Sequence, residues 1–298
     1  MKIFRDSARR KDFVLSAELF LRPETNAESI AAQVSLLREH VDGILLTDNQ
    51  GGRLHLSPVA AAGLVIANGA DPIVQLGCRN RNRVALLAEL LGAAALGASS
   101  VMLTRGQRVP EGFSPRPKAV FDVKPAELIA IAARLKDEDS VRHLPNLYVG
   151  TDFTLHRPRK DWEPAKIERK AEAGAQFLVS NICMNPRLVR NYMAHIVSAG
   201  MPRRINVYVS VAVPGSADDA RFLRDSRPNN LVPDELIARL EQAADPEQEG
   251  IRIGAEILRE LSTIPGVRGA HLVATRNLAA IPAAIAAAGL SERPTGGM

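Results

Sequence analysis

Eight apolar runs, each followed by a stretch of helical spacing, constrain this chain more than any other feature. The runs are Phe13–Phe20, Gly43–Thr47, Ile73–Leu76, Ser100–Thr104, Leu147–Gly150, Gln176–Ser180, Ile205–Val211 and Gly269–Val273. Helical stretches alternate with them. They cover about Ala27–His40, the segment from Ser57, Arg83–Gly97, the segment opening near Lys124-Pro125, Glu163–Ala173 and Arg187–Ala199. Ala217–Leu223, a longer region reaching Leu261, and Leu278–Ala288 complete the set. In the third helix, Leu86, Leu87, Leu90 and Leu91 recur at the spacing that builds one apolar face. Strand–helix alternation implies a parallel sheet, since a parallel neighbour needs a crossover and a helix supplies it. Eight repeats imply closure. The expectation is an α/β fold, a single (β/α)8 TIM barrel over residues 1–290, with a disordered tail over 291–298.

In such a barrel the functional groups sit in the turns after the strands. Two of these turns are polar and rich in charge. The run Asp42-Gly-Ile-Leu-Leu-Thr-Asp-Asn-Gln-Gly-Gly-Arg-Leu-His-Leu-Ser-Pro58 ends a buried strand in a glycine-bearing turn. Ser57 and Pro58 then read as N-cap and first-turn residue. Pro72-Ile-Val-Gln-Leu-Gly-Cys-Arg-Asn-Arg-Asn-Arg83 repeats the grammar with a knot of arginines. A second basic knot, Arg157/Arg159/Lys160, falls in another loop. The net charge is +5, but only 4% of residues are aromatic, leaving little to stack on bases. Knots confined to loops suit an anionic small molecule better than nucleic acid. No run approaches a membrane span, and Met1–Lys11 lacks the apolar stretch of a signal peptide. Two cysteines, Cys78 and Cys183, make neither a disulfide framework nor a zinc site, so no metal is expected and a reducing cytoplasm fits. Both read as small apolar wall residues.

The turn sequences carry a resemblance. Thr47-Asp-Asn-Gln-Gly-Gly-Arg-Leu-His-Leu-Ser-Pro58, Gln75-Leu-Gly-Cys-Arg-Asn-Arg-Asn-Arg83, Leu90-Leu-Gly-Ala-Ala-Ala-Leu-Gly97 and Lys118-Ala-Val-Phe-Asp122 are similar to the methylenetetrahydrofolate reductase family. So are Lys170-Ala-Glu-Ala-Gly-Ala175 and Pro246-Glu-Gln-Glu-Gly-Ile251, and the matches run in order along the chain. The resemblance covers the bacterial-type catalytic barrel and implies FAD at the C-terminal ends of the strands. Hydride then passes from NAD(P)H to flavin and on to methylenetetrahydrofolate, giving methyltetrahydrofolate. No Gly-x-Gly-x-x-Gly motif supplies a separate nicotinamide domain, so both reactants must use one barrel mouth. Related barrels assemble, which adds a homo-oligomer to the expectations.

The chemistry asks for an acid. The methylene carbon bridges N5 and N10 of the folate, and hydride attacks only after that ring opens to a 5-iminium cation. Opening requires a proton at N10, which a partly buried carboxylic acid can deliver. Glu18, at the end of the first strand, occupies the position of the family's catalytic glutamate, in a local sequence Ala17-Glu-Leu-Phe-Leu-Arg22 that departs from the family's Phe-Glu-Phe-Phe-Pro-Pro. Its alternative is a rim carboxylate, solvated or paired with Arg22 or Arg79.

The resemblance assigns the remaining site residues. Thr47 resembles a family position that contacts the flavin. Arg105 and Gly106 match the family's Arg-Gly-Asp turn, where the arginine meets the diphosphate, and Gln107 stands where the family has aspartate. That change removes a negative charge beside the flavin ring and bears on both cofactor and substrate. Arg169 and Lys170 would hold phosphate, or form a solvated helix face, and His156 would contribute from the loop after the fifth strand. Asn181, in place of the family's glutamine, would bind folate. The loop Pro214-Gly-Ser-Ala-Asp218 lacks the family's aromatic ring, and the flanking Tyr208 and Phe222 read as core. Three readings follow: an FAD-dependent reductase, a flavin-free reductase with direct NAD(P)H-to-folate hydride transfer, and a folate-binding or methyl-transferring barrel. Glu18 argues against the third, because binding alone needs no ring-opening acid.

Overall fold

A computed structural model describes residues 1–137, 146–159, 162–226 and 229–291. Lys160 of the second basic knot and residues 292–298 of the tail lie outside the described residues. The strands are β1 (Val14–Glu18), β2 (Gly43–Leu46), β3 (Pro72–Gly77), β4 (Ser100–Thr104), β5 (Tyr148–Phe153), β6 (Phe177–Ile182), β7 (Asn206–Val213) and β8 (Val267–Ala274). They pair in parallel in chain order and close, with β1 bonded to both β2 and β8. The chain is a single (β/α)8 barrel.

The helices are α1 (Phe4–Arg10), α2 (Ala27–Leu37), α3 (Pro58–Ala67), α4 (Arg83–Ala95), α5 (Pro125–Arg134) and α6 (Ala165–Glu172). They continue with α7 (Pro186–Ser198), α8 (Ala217–Ser226), α9 (Asp234–Gln242), α10 (Pro246–Ser262) and α11 (Ala280–Ala287). Local chemistry sets several starts. Asn82, Asn185 and Asp245 cap α4, α7 and α10 by accepting the backbone N–H of Ala85, Leu188 and Gln248. Pro58 does open α3, but the Ser57 side chain makes no capping bond. The long helical region after β7 is two helices, α9 and α10, rather than one.

Period two along each strand sorts side chains into two apolar layers. The layer between barrel and helices includes Ile44, Leu46, Val74, Leu76, Val101, Leu103 and both cysteines. The inner layer holds Val14, Leu45, Ile73, Met102, Tyr148, Phe177, Val179 and Tyr208. Phe4 of α1 joins it from below, with ring centroids 5.9, 5.6 and 5.4 Å from Tyr148, Phe177 and Tyr208. Gly150 makes room for this layer, since a Cβ there would lie 2.2 Å from the Phe177 ring. The helix α1 was not anticipated from the sequence. It closes the barrel floor and is tied down by Asp71, which accepts the Phe4 N–H at 2.8 Å, and by Asp42, which accepts the Ser7 hydroxyl at 3.0 Å. Tyr208 is core as expected. Phe222 is not: on α8 it is 58% exposed, because Ala220 and Leu223 form that helix's buried face.

Candidate active site

With inner-layer apolar residues filling the floor, the polar inward positions collect at the C-terminal ends of the strands. On β1 the inward series is Val14, Ser16 and Glu18. The Glu18 side chain is 15% exposed, and Oε1 accepts a 2.9 Å hydrogen bond from Gln50 Nε2. Its Oε2 lies 3.9 Å from His271 Nε2. His271 is the register partner of Ser16 across the β8–β1 seam, and its Nδ1 is 3.0 Å from the Ser16 hydroxyl. Neither Arg22 nor Arg79 pairs with Glu18; their guanidiniums lie over Phe20 and Phe121. Gln50 and His271 escaped the sequence reading. The signal for Gln50 was its place in the polar turn; for His271 it was a lone polar residue in an apolar strand.

The turn after β2 is built by backbone conformation. Asn49, Gly51 and Gly52 all have positive φ, at 49°, 66° and 71°. This sends the chain sharply back over the barrel end. Thr47 is 3% exposed, inside the mouth. Asp48, beside it, accepts the Gly77 N–H at 2.8 Å and two bonds from Arg81, at 2.6 and 3.1 Å. The carboxylate thus clamps the turns after β2 and β3 together. Arg81's guanidinium is held charged above its ordinary range by Asp48, against the opposing cost of burial. The turn after β4 lies on both. A Cβ on Gly52 would sit 2.1 Å from the Arg108 carbonyl oxygen, and one on Gly77 would sit 3.0 Å from Gly106 Cα. Glycine is what allows these turns to touch.

Several residues assigned to ligands are engaged by the chain itself. The Gln107 side-chain oxygen accepts the Gly51 N–H. Asn181 accepts the Leu155 N–H at 2.6 Å and donates to the Asn229 carbonyl. The Lys170 ammonium donates to the Asp152 carbonyl and lies 3.9 Å from its carboxylate; burial pulls its pKa down, while that carboxylate opposes. Arg169 is exposed on α6. His156 packs edge-on to Trp162 and Tyr192, at 5.3 Å from each ring, beside α7. Cys78 and Cys183 are buried, and burial pushes both thiols up to about 11, which makes them inert wall residues. Among the described residues, two orphaned buried polar atoms face the mouth, Thr104 Oγ1 at the end of β4 and His271 Nε2.

Fold and site together define a (β/α)8 barrel with the Glu18 carboxyl group poised at the strand ends, where such barrels carry out their chemistry. The chain belongs to the methylenetetrahydrofolate reductase family, whose model matches residues 3–289. Membership makes it an oxidoreductase-family protein of one-carbon metabolism. No curated protein matches the sequence. Among solved structures it is similar to oxaloacetate acetylhydrolase in complex with the inhibitor 3,3-difluorooxalacetate, with a TM-score of 0.51 and 10% identity over 90% of this chain and 77% of that chain. It also matches 2,3-dimethylmalate lyase, a PEP mutase/isocitrate lyase superfamily member, with a TM-score of 0.46 and 11% identity over 74% and 75% of the two chains. At 10% identity the first likeness concerns the fold alone. Among the described residues no helix is long and apolar enough to cross a membrane.

Proposed function

We propose that the chain is an NAD(P)H-dependent methylenetetrahydrofolate reductase in which Glu18 is the general acid. The observation that carries this reading is the place of Glu18, at the last residue of β1, partly buried, with Gln50 on one oxygen and His271 facing the other. Protonated Glu18 gives its proton to N10 as the bond from N10 to the methylene carbon breaks. The 5-iminium cation then accepts hydride from C4 of the nicotinamide, a C–H bond forms, and methyltetrahydrofolate and NAD(P)+ result. Gln50 fixes the rotamer of the carboxyl group. His271 sits between Ser16 and the acid, with Nδ1 at the Ser16 hydroxyl and Nε2 facing Oε2, and Glu18 is reprotonated from solvent.

The hydride route has two versions. The family pattern favours FAD, which when bound would accept hydride from NAD(P)H and pass it to folate. Specific contacts support direct transfer instead. Gln107 replaces the flavin-facing aspartate and is spent on Gly51. Lys170 is spent on Asp152. The turns after β2 and β4 are closed on one another at Gly52 and Arg108. Gln107 and Lys170 therefore do not present the contacts the family pattern gives FAD, and no step is routed through it.

The test is an assay of folate-dependent NAD(P)H oxidation with detection of methyltetrahydrofolate, and an absorbance scan of the purified protein. Absence of the methylated product sinks the reductase reading. A stoichiometric flavin band, with parallel double-reciprocal lines, sinks direct transfer and returns hydride to FAD. Intersecting lines from colourless protein are the expected result.

A further inference from the structure

The basic knot in the loop after β5 takes no part in the proposed reaction, and it overlooks a groove. Arg157 and Pro158 form one wall, and α7 forms the other. Along α7 the groove follows Arg187, Asn191 and His195, spaced four residues apart so that they share a face. Its upper part, at the start of α7, has a volume of about 270 Å³, and the part continuing down the helix about 570 Å³. Each is many times the ~30 Å³ that a water molecule occupies, so there is room for a chain of groups rather than one small ion.

Rings pin the loop in place. Trp162 packs on Tyr192 with centroids 4.8 Å apart and meets His195 edge-on at 5.8 Å, while His156 lies edge-on to both Trp162 and Tyr192. The chain has one tryptophan and three tyrosines, and this corner takes the tryptophan and one tyrosine to hold a loop whose exposed side chains include Arg157 and Arg159. Asn181 near the end of β6 accepts the Leu155 N–H at 2.6 Å, two residues before Arg157, and α7 starts just past that strand. The upper end of the groove therefore lies at the rim of the barrel mouth.

The lining carries one sign of charge. Among the described residues neither Arg157 nor Arg187 makes an ion pair or a hydrogen bond, and no carboxylate lines the groove. His195 adds a ring that can donate a hydrogen bond or carry charge. These groups do not converge on a point: Arg187 and His195 stand about 12 Å apart along the helix axis. A single phosphate can meet only one end. Between the ends, the Asn191 amide has no hydrogen-bond partner among the described residues and suits an amide linkage. Pro158, Leu188 and Ala194 offer apolar contact to methylene groups. Carboxylates set at intervals, joined by amides and short methylene chains, match this lining.

We propose that the groove between the loop after β5 and α7 binds an extended oligocarboxylate, of which a chain of γ-linked glutamates is the simplest form. Two sources supply that chemistry: a free oligocarboxylate, or glutamates carried on the tail of a folate substrate. The second source rests on the reading of the chain as a methylenetetrahydrofolate reductase; the groove itself does not.

The test is titration of the whole chain with tri-γ-glutamate, followed by the emission of Trp162, which is the only tryptophan and packs edge-on to His195. A saturable change is expected. Arg157→Ala and Arg187→Ala should each weaken binding about threefold to tenfold, the scale of a charge-assisted bond at an exposed site, and added salt should weaken it further. Asn191→Lys, which puts another cation on the groove wall, should tighten it. Arg9→Ala, an exposed charge lost from α1 at the barrel floor, should change nothing; an equal loss there would reduce the effect to net charge and overturn the site. Unchanged affinity in both groove variants, with folding intact by circular dichroism, overturns it too. So does inorganic phosphate that displaces tri-γ-glutamate at equal affinity, because the site would then hold a single oxyanion. The source is read from the KM of methylenetetrahydrofolate carrying one or three glutamates. If the tail is the ligand, the longer form has the lower KM at equal kcat, and the two arginine variants remove that advantage. Equal KM values, with tri-γ-glutamate still bound, assign the groove to a free oligocarboxylate. A chain that binds tri-γ-glutamate through the arginines yet makes no methyltetrahydrofolate refutes the reductase reading and leaves the groove standing.

Discussion

His271 Nε2 lies 3.9 Å from Glu18 Oε2, is buried, and has no hydrogen-bond partner, while Nδ1 of the same ring is 3.0 Å from the Ser16 hydroxyl. A ring nitrogen held this close to a carboxyl group, across the seam where the barrel closes, gives the acid a defined neighbour for its proton. His271→Ala should therefore lower kcat by about tenfold, the value of one such interaction in a dry site, with little change in KM for NAD(P)H. In a Glu18→Gln background the same substitution should add almost nothing, because the two side chains act as a unit. Additive losses in the double variant would mean that His271 only packs.

Glu18→Gln keeps the shape of the side chain and can still accept the bond from Gln50, so the fold should persist with an unchanged Tm. Methylenetetrahydrofolate reduction should fall by ~10²-fold or more, the usual contribution of a general acid. NAD(P)H binding, measured by fluorescence, should be retained. Turnover near that of the wild type would remove Glu18 from the mechanism.

The barrel could be read from the sequence because each strand and helix carries its own periodicity, and eight repeats leave few other architectures. The glutamate at the end of β1 followed from the same logic, since strand ends build the mouth. What escaped were pairings between distant repeats. His271 looks like an isolated polar residue in β8, and only closure of the barrel puts it beside Ser16 and Glu18, 255 residues away for the Ser16 contact. The side chains of Lys170, Asn181 and Gln107 meet Asp152, Leu155 and Gly51, which come from a strand and turns distant enough that no local pattern announces them. The helix α1 is short, and its value lies in Phe4 filling the barrel floor, a tertiary effect with no local pattern.

The clamp between Asp48 and Arg81 holds two catalytic-face turns, with side chains 3% and 15% exposed. Removing the carboxylate takes both short bonds from the guanidinium, leaving it Glu89 at 3.8 Å, and strands the Gly77 N–H. Asp48→Ala should destabilise the protein by about 3–5 kcal/mol, the cost of breaking a buried pair from one side. Urea denaturation would register this as a lower midpoint. Asp48→Asn, which can still accept from Gly77, should lose less. A loss below about 1 kcal/mol in the alanine variant would place the clamp among the weak surface pairs.

At the opposite end of the barrel, burial raises the Asp71 carboxyl to about 6, although bonds from the Phe4 N–H and the Ser99 hydroxyl oppose the shift. A carboxyl whose folded pKa lies above its unfolded value of 3.8 binds its proton more tightly in the folded state. Its favourable contribution is complete below the unfolded value and is lost as pH rises through about 6. By pH 7 the ionised group therefore costs the fold about 3 kcal/mol relative to the protonated one. Asp71→Asn keeps an oxygen for Phe4 and Ser99 and carries no charge at any pH. The stability of the wild type relative to this variant, from denaturation at a series of pH values, should fall steadily between pH about 4 and about 7 and level off above. The lost stability should be seen first in α1, whose Phe4 N–H is the group bonded to Asp71, as faster amide exchange in that helix at higher pH than the variant shows. A difference between the two proteins that stays flat across this range would mean that the Asp71 carboxyl does not titrate with folding.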